Sequence, residues 1–288
     1  MTIEDVAYNV GMNWNTIKNI EKKYLKLHYS KPDLSGVKRI AIDEFSISKG
    51  HSYMTVIMDL DRSKVIYVGE GRSSESLENF WKRISHLKIQ IEAIAMDMWP
   101  AYIKSAITNA PGGDIIFDRF HIVKMLNKTL DELRRDIYRD ETQYNKRVLM
   151  KGTRWLLLMN QDNLSEKAKT RLEEALAVNK PLSIAYYLKE EIKLLWSQNN
   201  LTQALNFLQQ WVKKAHVSGI KKLIEFANTL MAHRTGIINW YKHRISTGPL
   251  EGFNNKIKVL KRKAYGYRDF EFFILKIYAL HSTRYELL

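Results

Sequence analysis

The stretch from Val37 to Gly69 constrains the rest of the chain most. Three runs rich in β-branched and aromatic residues, Val37 to Ser46, Ser52 to Asp59 and Lys64 to Gly69, are joined by Gly50-His51 and by Asp61-Arg62-Ser63. Such runs between short turns read as an antiparallel three-strand meander. The texture then alternates. Leu77, Phe80, Trp81 and Ile84 share one face of a helix over Ser74 to Leu87. Ile89 to Met96 reads as a fourth strand, Pro100 to Thr108 as a short helix, and Pro111-Gly-Gly-Asp114 as a turn. Ile115 to Phe117 reads as a fifth strand, with a helix from Phe120 onward.

The order βββαβαβα is that of an α/β RNase H-like core, with three antiparallel strands followed by parallel additions through helical crossovers. From about Ile122 to Tyr241 no strand pattern survives. Leu201, Ala204, Leu205, Leu208, Trp211, Val212 and Ala215 follow helical spacing, as do Ile220, Leu223, Ile224, Ala227, Leu230 and Met231. These are helices of an all-α region. A last helix opens at Gly248-Pro249, with proline suited to the first turn. An apolar helix follows from Asp269 to about Ser282. The expected division is a partial helix-turn-helix over 1–30, the first part of the core over 37–121, a large helical insertion over 122–244, and the rest of the core over 245–288.

At the start, Ile3, Val6, Ala7 and Val10 have helical spacing and Gly11 breaks it. Asn13 is placed to cap a second helix, about Trp14 to Leu27, with Ile17, Ile20 and Tyr24 on one face. A small residue, a turn glycine and two aliphatics at these intervals are the spacing of a helix-turn-helix. Asn15, Thr16 and Lys18 would then face a DNA groove, although plain helix pairs share the spacing. Ser30 to Gly36 reads as a linker.

The 288 residues carry 46 Lys and Arg against 31 Asp and Glu, a net charge of +15. A folded chain with this excess points to a polyanionic partner, and nucleic acid is the commonest. With no cysteine, disulfide scaffolds, iron–sulfur clusters and cysteine-based zinc fingers are excluded. No apolar stretch is long enough to cross a bilayer, and the start, Met1-Thr-Ile-Glu-Asp, lacks the basic region and apolar run of a signal peptide. No membrane partner, no small-molecule cofactor and a cytoplasmic location are expected.

Three acids stand out. Asp43 follows Ile40-Ala-Ile in the first strand, and Asp97 ends the fourth in Ile94-Ala-Met-Asp. Each by itself could be an ordinary strand-end acid. In an RNase H-like sheet, however, the ends of strands one and four are adjacent, and two like charges there are unfavourable without a cation. Glu251 lies in the first turn of the late helix, where an acid is favourable in any case. Its other reading is a third ligand. Three carboxylates suit two Mg²⁺ or Mn²⁺ ions, which assist in-line phosphoryl displacement. Asp118 and His121 share a helix face and read either as a supporting pair or as a helix cap and a core histidine. From Tyr241 to Arg268 there are eight Lys and Arg residues against the single acid Glu251. Asn254, Asn255, Lys256, Lys258, Lys261, Arg262, Lys263, Tyr265 and Arg268 are candidate DNA contacts from this segment.

The blocks IAIDEFSISKGHSYMTVIMDLD, IEAIAMDMWPAY, IIFDRFHIVKMLN and RISTGPLEGFNNKIKVLKRKAYGYRDFEFF resemble those of the IS-L-three family of insertion-sequence transposases, of the acid-triad (DDE) type. The resemblance spans nearly the whole chain. It implies metal-dependent phosphodiester hydrolysis at element ends and strand transfer into target DNA by a homo-oligomer on DNA, nucleoid-associated when bound. Asp43, Asp97 and Glu251 would be the catalytic and metal-binding triad, and Asp118 and His121 a supporting D-x-x-H element. Family members usually carry a Cys/His zinc segment before the helix-turn-helix. This cysteine-free chain is therefore expected to be truncated at its N-terminus. A non-catalytic DNA-binding remnant or regulator, or an RNase H-like nuclease or resolvase, are the alternatives.

Overall fold

A computed structural model describes residues 2–47, 52–144 and 151–281. The expected Gly50-His51 turn, and the far end of the expected last helix at Ser282, lie outside the described residues. The chain divides into two units, Met1–Ile116 with Ile245–Leu288, and Phe117–Arg244.

The first unit opens with helices α1 (Ile3–Val10) and α2 (Trp14–Tyr29). Gly11 ends α1 at φ 64°, where a side chain would be strained, and the Met12 amide closes back onto the Ala7 carbonyl at 2.9 Å. The sheet has strands β1 (Arg39–Ser46), β2 (Tyr53–Asp59), β3 (Lys64–Glu70), β4 (Ala93–Met96) and β5 (Asp114–Phe117) in the order β3-β2-β1-β4-β5. β1 pairs antiparallel with β2, β2 antiparallel with β3, and β1 parallel with β4. This mixed sheet is the arrangement expected of an RNase H-like core. Ile40, Ala41, Ile42, Ile94, Ala95 and Met96 are fully buried, as befits central strands covered on both faces.

Helices α3 (Glu78–His86) and α4 (Pro100–Asn109) connect β3 to β4 and β4 to β5. The expected helix start at Ser74 is a 3-10 turn over Ser74–Leu77, and α3 follows it. The fourth strand begins at Ala93 rather than Ile89. The Lys88 and Ile89 amides are spent on the Ser85 and Ile84 carbonyls, and Lys88 turns left-handed at φ 51° to cap α3.

The presumed linker is a packed strap. Leu34 is buried, the Pro32 carbonyl accepts from Arg83 Nη2 at 2.8 Å, and the Ser35 carbonyl accepts from Arg62. The expected apolar face of α2 also differs. Ile20 and Tyr24 are more than half exposed, and Leu25 is the buried residue. Leu25 packs on Phe272, Leu275 and Ala279 of the last helix described, which runs Phe270–Ala279. Around that contact runs a ladder of ion pairs: Lys22 to Asp269 and Glu271, Lys26 to Glu271, and Glu21 to Lys276.

Beyond Phe117, the last residue of β5, the described elements of the second unit are helical. They are α5 (Arg119–Asp140), α6 (Arg154–Leu158), α7 (Glu166–Ala177), α8 (Lys180–Ile192), α9 (Leu201–Val217), α10 (Lys221–Ala232), α11 (Arg234–Ile238) and α12 (Trp240–His243), with short 3-10 turns between them. Ala204, Leu208, Trp211 and Ala215 are buried on α9, as their spacing predicts. Lys189 is buried too, and its Nζ donates to the Leu157 and Met159 carbonyls at 2.8 and 3.0 Å. The first unit closes with α13 (Gly248–Lys263) and α14 (Phe270–Ala279). Among the described residues no helix is long and apolar enough to cross a membrane.

Candidate active site

The parallel pairing sets Arg39 opposite Ala93, Ile40 opposite Ile94 and Ala41 opposite Ala95. Every one of these pairs is separated by 54 residues, and so are Asp43 and Asp97. The pairing ends at Ala41 and Ala95, two residues before the acids on each strand. Asp43 is still within β1, opposite Val56 of β2, and Asp97 is the first residue beyond β4.

Each carboxylate is held by its own backbone. Asp43 Oδ1 accepts from the Glu44 amide at 2.8 Å, and Asp97 Oδ1 accepts from the Met98 amide. Asp43 Oδ2 accepts from Asn254 Nδ2 at 2.8 Å. Glu44 points to the other face of the sheet, as successive strand residues must. There it stands opposite Thr55, whose hydroxyl meets those of Tyr102 and Ser76 at 2.9 and 3.0 Å. Burial, and then the Glu44 charge, hold the Tyr102 phenol far above its ordinary range.

Helix α13 brings the third acid. Pro249 sits in its first turn, and Lys261, Arg262 and Lys263 complement the dipole in its last. Leu250, Phe253, Asn254 and Ile257 are its buried residues. Asn254 touches the middle of β1, while Lys261 Nζ donates to the Ser46 and Ile47 carbonyls at the end of the strand. The helix therefore runs beside β1 in the same direction. Glu251 lies one turn before Asn254 on the same face, half-buried.

Among the described residues, no group of three His, Cys, Asp or Glu stands close enough to hold a metal ion. The structure thus gives Asp43 and Asp97 the offset of the β1–β4 pairing and sets Glu251 one turn from the Asp43 contact, without closing the three around a point. A hard cation nevertheless suits what is there. Asn254 Oδ1 is buried without a hydrogen-bond partner beside the Asp43 carboxylate, and carboxylate and amide oxygens are the donors that Mg²⁺ and Mn²⁺ prefer.

Several expected DNA contacts lie elsewhere. Asn254 is buried against Asp43 and does not face solvent. Lys18 points at Asp269, 3.4 Å away, because the inner face of α2 carries ion pairs. Lys261 is partly withdrawn onto the end of β1. Tyr267, two residues after Tyr265, stacks on Phe273 at 4.5 Å. Asn15, Thr16, Asn255, Lys256, Lys258, Arg262, Lys263, Tyr265 and Arg268 are exposed.

Asp118 lies in the second unit as the N-cap of α5, its Oδ1 accepting from the Phe120 amide at 2.6 Å. His121 is on the first turn of that helix, half-buried, with its ring edge-on to Phe120. What the sequence reading missed is the part played by Asn254. Its place three residues after Glu251 was the available signal, since that interval repeats a helix face.

Residues 40–277 match the family model for DDE transposases of the ISL3 type, described as a transposase. The chain belongs to that family. It is 38% identical over 280 residues to the transposase for insertion sequence element IS1001 of Bordetella parapertussis, covering 96% of this chain and 69% of the relative. It is 26% identical over 259 residues to the transposase for insertion sequence element IS1557 of Mycobacterium tuberculosis, covering 82% of this chain and 58% of the relative. The Drosophila P element transposase strand transfer complex overlays with a TM-score of 0.41 at 9% identity, covering 86% of this chain and 77% of that chain. That likeness is too slight to bear on fold or function.

Proposed function

We propose that this transposase cuts phosphodiester bonds at the ends of its insertion element and joins the freed 3′ ends to target DNA. Asp43, Asp97 and Glu251 would hold two divalent ions, Mg²⁺ or Mn²⁺. The observation that carries the reading is the common 54-residue offset of the β1–β4 register and of Asp43 and Asp97. When bound, the ions would activate the attacking oxygen and neutralise charge on the leaving one.

The chain's own residues supply the frame. The Glu44 amide and Asn254 fix both oxygens of Asp43, and the Met98 amide fixes one of Asp97. In the first step a water oxygen attacks phosphorus, the bond from phosphorus to the 3′ oxygen breaks, and that oxygen leaves as a hydroxyl. In the second step this hydroxyl oxygen attacks a target phosphorus and gives up its proton, the bond from that phosphorus to the target's 3′ oxygen breaks, and that oxygen takes up a proton and leaves as a hydroxyl.

Exposed Asn255, Lys256, Lys258, Arg262, Lys263, Tyr265 and Arg268 serve as contacts to DNA phosphates and sugars. Asn15 and Thr16 on the exposed side of α2 serve groove reading, and Asp118 with His121 is a supporting element. Two element ends must be joined in one event, so the active form is a homo-oligomer on DNA, working in the cytoplasm on the nucleoid.

The test uses duplexes bearing the terminal sequences of the element, with Mg²⁺ and a target plasmid. Wild type is expected to nick the ends and yield joined products, and Asp97→Asn to yield neither. Nicking without joining would make the chain a nuclease or resolvase. Equal nicking by Asp97→Asn would remove that residue from the reaction.

A further inference from the structure

Arg72 is flanked by two aromatic rings at the end of the sheet where the acids lie. Its guanidinium carbon stands 4.3 Å from the centre of the Tyr53 ring and 4.8 Å from that of Trp99. Tyr53 pairs with Ser46, three residues beyond Asp43, and Trp99 is two residues beyond Asp97. The loop that carries Arg72 is braced on both sides. The Trp99 indole donates to the Arg72 carbonyl at 2.9 Å, and the Gly71 amide donates to the Tyr53 carbonyl at 2.8 Å. The Thr55 hydroxyl donates to the Gly71 carbonyl at 2.8 Å, and the Ser74 hydroxyl to the Ala101 carbonyl at 3.1 Å.

Four other arginines are paired with acids: Arg39 with Asp61, Arg62 with Asp33, Arg134 with Asp131 and Arg139 with Asp136. Among the described residues, no carboxylate lies within ion-pair reach of Arg72 and no acceptor takes a hydrogen bond from its guanidinium. A guanidinium whose motion is already limited by two rings loses little freedom on meeting an anion, and its donor fork matches two oxygens of a phosphate. Trp99, about one-third exposed, adds a surface on which a sugar or base can rest.

We infer that Arg72, with Tyr53 and Trp99, is a phosphate-binding subsite that takes one backbone phosphodiester of the DNA strand led to Asp43 and Asp97. This rests on the reading of the chain as a DNA-cutting transposase. Its contact is to phosphate and carries no base preference.

The test is equilibrium binding of a fluorescent linear duplex by the full chain over a series of salt concentrations, with melting curves as a fold control. Arg72→Ala is expected to weaken binding about tenfold and to lower the slope of log affinity against log salt by about one. Arg72→Lys, which keeps charge and bulk, is expected to retain the slope and lose part of the affinity, because a point charge replaces the fork. Arg72→Lys carries the test should Arg72→Ala fail to fold. Asp97→Asn is assayed alongside for cutting only, as the readout of the catalytic reading. An unchanged affinity and slope in the folded Arg72 variants overturns the subsite, whatever Asp97→Asn does to cutting. Normal cutting by Asp97→Asn overturns the catalytic reading and leaves the binding result to stand or fall separately.

Discussion

Asn254 Nδ2 donates to Asp43 Oδ2 at 2.8 Å, tying the helix that carries Glu251 to the strand that carries Asp43. The amide is buried and its other end, Oδ1, has no hydrogen-bond partner. One short contact thereby sets how far apart two members of the proposed triad stand. A hydrogen bond to a charged group contributes roughly 1.5–3 kcal/mol. Asn254→Ala is expected to raise the Mg²⁺ concentration for half-maximal cleavage about tenfold while DNA affinity stays unchanged. Asn254→Asp should do worse, since it sets a second negative charge against Asp43. A Mg²⁺ titration of cleavage, with DNA binding measured separately, checks both.

His281 guards the edge of the sheet. Its Nε2 accepts from the Val65 amide at 2.8 Å, its ring stacks on Phe253 at 4.1 Å, and the Tyr278 hydroxyl accepts from the Val68 amide at 3.1 Å. These contacts occupy donors that an edge strand would otherwise present to other chains. Burial, then Lys256 and Lys64, push the His281 imidazole down to about 4 from 6.5. Between those values the unfolded chain binds a proton that the folded chain does not. Stability should therefore be full above about pH 6.5, fall as pH drops towards 4, and level off below. Allowing for solvent screening, the loss is about 2 kcal/mol. Denaturant melts at several pH values, with His281→Ala flattening this part of the profile, measure it.

Asp269 has two duties. It caps α14 by accepting from the Phe272 amide at 3.0 Å, and it pairs with Lys22 at 2.9 Å. Burial raises its carboxyl, but the Phe272 amide and the Lys22 ammonium outweigh this and hold it below the usual range. Asp269→Ala is expected to cost about 1–2 kcal/mol, most of it the cap. Lys22→Ala is expected to cost under about 1 kcal/mol and to matter less at high salt. Urea melts of both variants at two salt concentrations separate cap from ion pair.

Gly69 lies where β3 meets the turn before α3. A Cβ there would stand 2.2 Å from the Ser76 carbonyl oxygen and 2.8 Å from the Tyr67 ring. Backbone cannot retreat cheaply, so Gly69→Ala should destabilise by about 2 kcal/mol or more. Gly11→Ala meets no neighbouring atom but strains a left-handed residue, and a loss nearer 1 kcal/mol is expected. Thermal melts of the pair test whether close approach outweighs backbone strain.

Much of the sheet was legible because β-branched runs between turns leave few alternatives, and the helical spacing of Leu201 to Ala215 foretold α9. The acids were legible as apolar runs ending in a charge. That the ends of strands one and four are neighbours followed from the element order, but the 54-residue β1–β4 offset did not, because a register is set by pairing between distant segments. The inner face of α2 was misread for a different reason. Lys18, Glu21, Lys22 and Lys26 look like a solvated face by hydropathy, yet they meet Asp269, Lys276 and Glu271. Asn254 and Asn255 are identical in type and adjacent in sequence. One residue of helical rotation buries the first against Asp43 and leaves the second in solvent.

The central claim is that Asp43, Asp97 and Glu251 act together on divalent metal, and it is tested most directly without DNA. Calorimetric titration of the full chain with Mn²⁺ is predicted to show binding that weakens at least about tenfold in each of Asp43→Asn, Asp97→Asn and Glu251→Gln, with melting curves like wild type. Mn²⁺ binding that is the same in wild type and all three variants would contradict it.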